Sequence, residues 1–384
     1  MKRCLIKFTL FLIIVVLFMS TSVICFAQDE INEEGYNEVL QEFDLSAFEE
    51  ELDEDSYNLL SELGLEDFDY NTIINFSISD FLSQIKGMIN DSAKTPLESC
   101  AIILVVILLS SLFQSFKQTV GDTQMTSAVS TVSAVIVAII LITKMKLTIS
   151  SACAAISVCS DFVFAFIPAF CIIVATSGNT VAAFSTNTLL LSLAQALNFI
   201  SNSVFLPLSN CFLAIGICSG IRDELNLRSF IANMKKYLIT GISVCATVFV
   251  SVLSIKTAVA SSADAIGLRS VRFAINSVVP VIGGAISEGL LSIQAYSSLI
   301  KSSVGIVGII AVALVFLPSI LNVSFWRLFL SLCGVISDIF SDRSVSSVLK
   351  AFTDALMIMN VILILSMVTT IISIGILIAA KGSA

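Results

Sequence analysis

The chain has 384 residues, of which 57% are hydrophobic and 13% are charged, and its formal net charge is −9. Soluble domains carry about 25% charged residues, so a water-soluble fold is excluded for most of this chain, and its apolar segments are expected to lie in a bilayer. No histidine is present. This excludes histidine acid–base catalysis, Ser-His-Asp triads and histidine metal sites.

The N-terminal residues 1–27 are predicted to be a signal peptide. Lys2, Arg3 and Lys7 form a basic start, Leu10 to Met19 form a short apolar core, and Cys25-Phe26-Ala27 places small residues at a cleavage site. An uncleaved first membrane helix is the alternative, but the apolar core is short for a full span. In both cases the next segment lies outside the cytosol.

Residues 28–96 are predicted to form an acidic extracytoplasmic arm. They contain 19 acidic and two basic residues, whereas residues 97–384 contain 10 acidic and 15 basic residues. Leu40, Phe43 and Phe48 belong to an apolar stripe at near-helical spacing, which indicates short amphipathic helices. Such a segment is either a solvated acidic spacer or a helical arm that docks a partner.

Residues 97–384 are predicted to be a transmembrane domain. The fold class is therefore an all-α polytopic membrane protein with eight to ten apolar helical segments behind the acidic arm. The segments are Leu97–Phe116, Thr126–Thr143, Ile149–Thr176, Val181–Ile200, Val204–Ser219, Leu238–Ile255, Phe273–Ile300, Val304–Leu321, Phe325–Phe340 and Ala355–Ala380.

The basic residues give a partly consistent topology. Positive charge marks cytosolic loops, and with the arm outside, both Lys117 and the basic loop 221–237 fall in the cytosol. By the same count, Lys144 and Lys146 fall outside the cytosol, which conflicts with the rule. This conflict leaves open that 149–176 or 181–200 is re-entrant, so the number of crossings and the side of the C-terminus stay undetermined.

An internal repeat is predicted between residues about 126–211 and 238–322. At an offset of 112 residues, Phe166-Ile167-Pro168 faces Val278-Val279-Pro280, and with one deletion Phe205-Leu206-Pro207 faces Phe316-Leu317-Pro318. In the first copy, Ser177 to Thr180 interrupt the apolar sequence. Broken helices at membrane depth are expected where the backbone lines a protein-enclosed cavity, and internal repeats are common in transporter folds.

Ionisable residues inside apolar segments are the first candidates for function, because each is costly in lipid. Asp161 precedes Pro168, and Glu288 lies in G-G-A-I-S-E-G. Each of the two carboxylates either lines a polar lumen or lies at a membrane interface. The candidate conduit-lining or helix-break residues are Asp161, Pro168, Gly178, Asn179, Asn198, Asn202, Pro207, Asp264, Arg269, Arg272, Pro280, Gly283, Gly284, Glu288 and Pro318.

The remaining polar residues, glycines and cysteines give little support for catalysis, metal binding or nucleic-acid binding. The asparagines among these candidates either hydrogen-bond between helices or line a pore, and the glycines relax the backbone for close helix approach. The eight cysteines from Cys100 to Cys333 form no C-x-x-C motif and are interpreted as small packing residues. No phosphate-binding loop, metal motif or basic nucleic-acid patch is present, so the chain is predicted to be no enzyme and to need no cofactor.

Several stretches of the sequence are distinctive. They are D-L-S-A-F-E-E-E-L in the arm, F-I-P, A-T-S-G-N-T and L-P-L in the first repeat, A-D-A-I-G-L-R-S-V-R-F-A-I-N-S-V-V-P-V-I-G-G-A-I-S-E, and L-I-K-S-S-V-G-I-V-G. Together they resemble the stage III sporulation protein AE family of endospore-forming bacteria. The resemblance covers nearly all of the chain from residue 28 and is most specific over 264–308. The chain departs from the family pattern at Ala265 (Gly), Arg272 (Lys), Gly283-Gly284 (Lys-Ala) and Glu288 (Asp).

The resemblance implies a location and partners. The protein would lie in the mother-cell membrane around the forespore, as a multi-pass subunit of a channel or secretion-like complex that supports late forespore gene expression. Its partners would be the other stage III A proteins, including a cytosolic ATPase and ring-forming proteins, and the forespore Q protein. A scaffold that anchors partner rings, or a small-solute transporter, is the alternative. The cargo and the oligomeric state, including a possible homo-oligomer, are not determined.

Overall fold

The structure, a computed structural model, describes residues 78–118, 123–176, 199–221, 229–245, 283–340 and 342–379, with a few positions between them. These ranges are helical apart from Phe340 and Asp342, and they contain no strand. The helices are α1 (Ile78–Gln118), α2 (Thr123–Thr176), α3 (Leu206–Ile221), α4 (229–245), α5 (Gly283–Ile339) and α6 (Arg343–Ala379).

Five helices in the described ranges are long and apolar enough to cross a membrane: Ile85–Phe113, Ala128–Thr176, Ser201–Gly220, Leu299–Ile339 and Arg343–Gly375. This confirms the predicted all-helical membrane fold. The predicted number of eight to ten segments is not confirmed. The predicted signal peptide lies outside the described residues, and so does nearly all of the predicted acidic arm before residue 78.

Helix α2 joins two segments that the sequence analysis separated at residues 144–148. The helical pattern of burial continues through them, because Met145 and Thr148 are buried whereas Lys144, Lys146 and Leu147 are exposed. No glycine or proline interrupts this stretch, so nothing in its backbone chemistry ends the helix. The two lysines lie on the exposed side of one 54-residue helix.

Helix α5 likewise joins the described part of the segment predicted as 273–300 to the segments predicted as 304–321 and 325–340. Between the last two segments, Val323 is fully buried, and Ser324 Oγ accepts a hydrogen bond from Asn360 of α6. Pro318 lies inside this helix, as Pro168 lies inside α2. Each proline removes one backbone hydrogen bond, yet both helices continue because neighbouring helices enclose them on several sides.

The start of α3 follows a π-helical turn over Ser201–Phe205. In this turn the Leu206 N–H donates to the Ser201 carbonyl, five residues earlier. Pro207 comes directly afterwards, where a regular helix would press its ring against the carbonyl of Ser203. The wider π turn accommodates the proline, so the predicted break at Pro207 takes the form of a local change in helix type.

The core of the described bundle is centred on α5, which packs against α1, α2 and α6. In the most apolar 18-residue stretch of α5, 83% of the residues are buried. Against it lies a ladder of three buried rings on α2, in which Phe162 and Phe166 have centroids 5.2 Å apart and Phe166 and Phe170 5.1 Å apart. Gly308 admits the Phe166 ring, because a Cβ at Gly308 would lie 2.6 Å from the ring carbon Cζ.

A second close approach joins α3 to α6. Gly216 and Gly220 are four residues apart and form a small-xxx-small pattern that favours tight helix packing. A Cβ at Gly216 would lie 2.6 Å from Ala351 Cβ, and one at Gly220 would lie 2.8 Å from Val348 Cγ2. Because glycine has no side chain, α3 and α6 can pack closely at these two positions.

Candidate functional site

The sequence-predicted residues fall into three groups in the structure. Asp264, Arg269, Arg272, Pro280, Gly178, Asn179 and Asn198 lie outside the described residues. Gly283, Gly284 and Glu288 lie in the first turns of α5, where only the backbone is described. Asp161, Pro168, Asn202, Pro207 and Pro318 are described with their side chains.

The described candidates do not form one cluster. Asp161 is exposed on α2, next to the fully buried Phe162. Asn202, in the π turn, donates to Ser157 Oγ of α2 at 3.5 Å, which agrees with the helix-bridging interpretation of that asparagine. Pro168 lies within the ring ladder of α2, whereas Ser319, beside Pro318, donates to the carbonyl of Ser151 at 3.3 Å. The two prolines therefore lie at different levels of the bundle.

The structure instead brings together a polar cluster around Asp342, which we call the Asp342 cluster (Ser110, Ser130, Ser337, Asp342 and Val345). Asp342 is only 1% exposed and lies between α5 and α6. Its carboxylate accepts a 2.6 Å hydrogen bond from Ser110 Oγ of α1 and another of 2.6 Å from Ser130 Oγ of α2. One residue therefore connects four helices.

Asp342 is also the N-cap of α6. Its Oδ1 accepts from the Val345 N–H at 3.4 Å, and its carbonyl accepts from Ser337 Oγ at 3.1 Å and from the Ser346 N–H at 3.1 Å. A carboxylate at a helix N-terminus is favoured by the helix dipole and satisfies an otherwise unpaired N–H. These hydrogen bonds offset the cost of burying the charge.

A second charged contact joins α4 to α6. Lys235 Nζ lies 2.6 Å from Asp354 Oδ1, with side chains 25% and 19% exposed. Asp354 lies within an apolar helix long enough to cross a membrane, where an unpaired carboxylate would be costly. The lysine partner reduces that cost, so the pair fixes α4 against the bundle.

Two further polar residues lie in the interior. Asn360 of α6 donates to Ser324 Oγ of α5 at 2.7 Å, while its Oδ1 is buried without a hydrogen-bond partner. Lys301, in the central helix α5, is 3% exposed. The sequence analysis did not single out Asp342, Asp354, Asn360 or Lys301 as candidates. One local feature could have pointed to Asp342, because aspartate is a favoured residue directly before a helix.

The arrangement favours structural roles for these groups. The described residues include no cluster of three or more histidine, cysteine or acidic side chains that could hold a metal ion. The Asp342 carboxylate is occupied by hydrogen bonds from the protein itself. The hydrogen bonds of the cluster hold α1 and α2 against the residues between α5 and α6.

Comparison with known proteins gives the family. The profile of the family described as stage III sporulation protein AE matches residues 66–381, which include all six helices. The chain belongs to the stage III sporulation protein AE family. The resemblance seen in the sequence is thereby confirmed, and a role in sporulation is supported.

A curated relative agrees with this family. Stage III sporulation protein AE of Bacillus subtilis (strain 168) is 26% identical over 211 residues. The match covers 54% of this chain, and the chain spans about half the length of that relative (53%). No solved structure matches this family member.

Proposed function

We propose that the chain is a non-enzymatic, multi-pass subunit of a membrane complex that joins mother cell and forespore and supports late forespore gene expression. The observation that carries this proposal is the family match over residues 66–381, which spans all five helices able to cross a membrane. On this proposal the protein lies in the mother-cell membrane around the forespore, with its acidic arm extracytoplasmic. Its partners are the other stage III A proteins and the forespore Q protein.

Within that complex, a conduit role rests on the candidate lining residues. Glu288 follows a Gly-Gly pair at the start of α5, and Asp161 is an exposed carboxylate on an apolar helix. Carboxylates in such positions face polar surroundings rather than lipid. We therefore place the conduit wall at these two acids and at the duplicated Pro168 and Pro280 positions.

The packing of α5 favours a scaffold role as the second candidate. This helix is the centre of the described bundle, and its neighbours fill the space around it with side chains. A path for solutes would then run between subunits or along residues outside the described ranges. On this proposal the bundle is a rigid anchor for partner proteins.

The experiment replaces the chromosomal copy with Glu288→Ala, Asp161→Ala or both, at matched protein level. The conduit proposal expects at least a tenfold loss of heat-resistant spores and of a late forespore reporter in the double variant. Glu288→Asp is the matched control, because it keeps the carboxylate, and it should retain both readouts. Normal sporulation of the double variant would contradict the lining role.

A flux measurement separates conduit from scaffold. The complex purified with its partners is placed in liposomes that contain a small fluorescent solute. A conduit releases the solute, and the double acidic variant releases it more slowly. A scaffold retains the solute in both cases while the partner proteins still co-purify with the chain.

A further inference from the structure

Two cysteines from distant parts of the sequence lie against each other in the core. Cys100 of α1 and Cys333 of α5 are 233 residues apart, and their Sγ atoms are separated by 2.7 Å. Both side chains are buried, at 7% and 0% exposure. Among the eight cysteines in the described part of the chain, these are the two whose sulfur atoms lie within hydrogen-bonding distance of another cysteine sulfur.

The surrounding packing holds the two thiols in this position. Cys100 Sγ also approaches the Phe329 carbonyl at 3.8 Å, and Cys333 Sγ approaches the Cys100 carbonyl at 3.9 Å. Thiol groups on separate helices can be joined by a disulfide bond only where the two backbones already lie close together. The 2.7 Å separation of the two Sγ atoms places α1 and α5 close together at this point.

The position of the pair along α1 indicates which side of the membrane it adjoins. The part of α1 before Cys100 is polar, with Lys86, Asp91, Lys94 and Glu98 all exposed. After Cys100 the helix becomes apolar. Along α1, Cys100 therefore lies at the end of the apolar stretch that faces the acidic arm, whereas along α5 Cys333 lies near the C-terminal end of Leu299–Ile339. If the arm is extracytoplasmic, as proposed above, the Cys100 end of the apolar stretch of α1 adjoins the compartment in which disulfides persist.

We infer that Cys100 and Cys333 form a disulfide bond that joins α1 to α5 in the mature protein. The oxidant is a protein disulfide of an extracytoplasmic thiol oxidoreductase. The Cys100 thiolate attacks that disulfide and forms a mixed disulfide, releasing one thiolate of the oxidant. The Cys333 thiolate then attacks the Cys100 sulfur, so the intramolecular bond forms and the oxidant leaves as a dithiol. The two thiol protons end on the two sulfur atoms of the oxidant.

The burial of both sulfurs sets the order of events. An oxidoreductase cannot reach a thiol that is enclosed between packed helices, so the exchange takes place before α1 docks against α5. The bond then closes a loop of more than two hundred residues, which includes α2, α3 and α4. Cross-links that close long loops restrict the unfolded chain most. The inference rests on the extracytoplasmic arm and not on whether the complex conducts solutes.

The test uses the full-length wild-type protein. Sporulating cells are quenched in acid, free thiols are blocked with N-ethylmaleimide under denaturing conditions, and the purified protein is digested without reductant. Mass spectrometry should find a peptide that links Cys100 to Cys333 and is two hydrogen atoms lighter than the two thiol peptides. Alkylation of both cysteines, or a link from either one to another cysteine, would overturn the inference.

Variants add a second measurement. Dithiothreitol reaches the buried bond only as the helices separate on heating. It should then lower the unfolding temperature of the detergent-solubilised wild-type protein, and it should have no effect on the Cys100→Ala/Cys333→Ala double variant. The exposed Cys211 gives the matched control, and its Cys211→Ala variant should respond to reductant as the wild type does. An identical response of the double variant and the wild type would contradict the bond.

Discussion

Ser110 Oγ donates a 2.6 Å hydrogen bond to Asp342 Oδ2 across 232 residues of sequence. The other carboxylate oxygen accepts from Ser130 Oγ at 2.6 Å. One buried aspartate therefore connects the first two long helices to the turn between the last two. It also caps the N-terminus of α6, so its removal has two separate consequences for stability.

We expect Asp342→Ala to destabilise the bundle by about 2–4 kcal/mol, because it removes a helix cap and the carboxylate that accepts hydrogen bonds from Ser110 and Ser130. Asp342→Asn should cost less, because asparagine is also a good N-cap. The measurement is thermal unfolding of the detergent-solubilised protein, followed by loss of the monodisperse fraction.

Asp161→Asn is the control for this series. Asp161 is exposed and makes no hydrogen bond within the described residues, so its replacement should leave the unfolding temperature unchanged. An unchanged unfolding temperature for Asp342→Ala would show that the Asp342 cluster does not hold the bundle together.

We expect Gly216→Ala to loosen the contact between α3 and α6, because its Cβ would lie 2.6 Å from the Ala351 Cβ. Overpacking of this kind costs about 1–3 kcal/mol. The compensating change Ala351→Gly should restore much of the lost stability. Gly87→Ala is the matched control: nothing lies within 4 Å of that Cβ position, so it should be neutral or slightly stabilising. Equal effects of the two glycine changes would contradict the close approach.

The pair Lys235 and Asp354 should behave as a coupled unit. Lys235→Met leaves a mostly buried carboxylate without its cation, and we expect a loss of about 1–3 kcal/mol. Adding Asp354→Leu should recover much of this loss, because both charges are then absent. A thermal double-mutant cycle measures the coupling.

The exposed pair of Lys94 and Asp91 is the control for that cycle. Lys94 Nζ and Asp91 Oδ1 are 2.7 Å apart, but the side chains are 64% and 73% exposed, and surface pairs contribute little. The same replacements there should show no coupling. Strictly additive effects at Lys235 and Asp354 would mean that the pair does not fix α4.

The effects of replacing Phe166 and Gly308 on the stability of the protein should also depend on each other. Phe166→Ala should cost about 3–5 kcal/mol, because it leaves a cavity in the middle of the ring ladder. Gly308→Ala brings a methyl group within 2.6 Å of the Phe166 ring and should destabilise the protein on its own. In the Phe166→Leu background the Gly308→Ala change should cost clearly less, as measured by thermal unfolding. Equal costs in both backgrounds would show that the ring does not pack on Gly308.

Much of the architecture could be predicted because it is local. Each apolar segment is recognisable by itself, and α3 begins and ends near its predicted boundaries. Helices α1 and α6 end near their predicted ends but begin earlier than predicted, at Ile78 instead of Leu97 and at Arg343 instead of Ala355. The other predictions that differ are the breaks inside α2 and α5 and the basic loop 221–237, of which residues 229–237 are helical. Charged or polar residues at 144–146 and 322–324 suggested loops, but buried neighbours such as Met145 and Val323 carry the helical pattern through.

The candidate site was harder to predict because its partners are distant. Asp161 and Pro168 stood out through local contrast with their apolar surroundings, and neither lies in a polar cluster of the described bundle. Asp342 looked like an ordinary loop residue. Only the packing of α1 and α2 against the α5–α6 turn shows that two serines from other helices bind its carboxylate.

The sequence by itself determined that this is a helical membrane protein of the stage III sporulation protein AE family. Its composition leaves too little polar surface for a soluble fold, and the family residues lie in continuous stretches. The tertiary structure decided which helices touch, where charge can be buried, and which two cysteines meet. The physical reason is that a buried carboxylate or thiol depends on the groups packed around it, and in this chain those groups lie more than two hundred residues away.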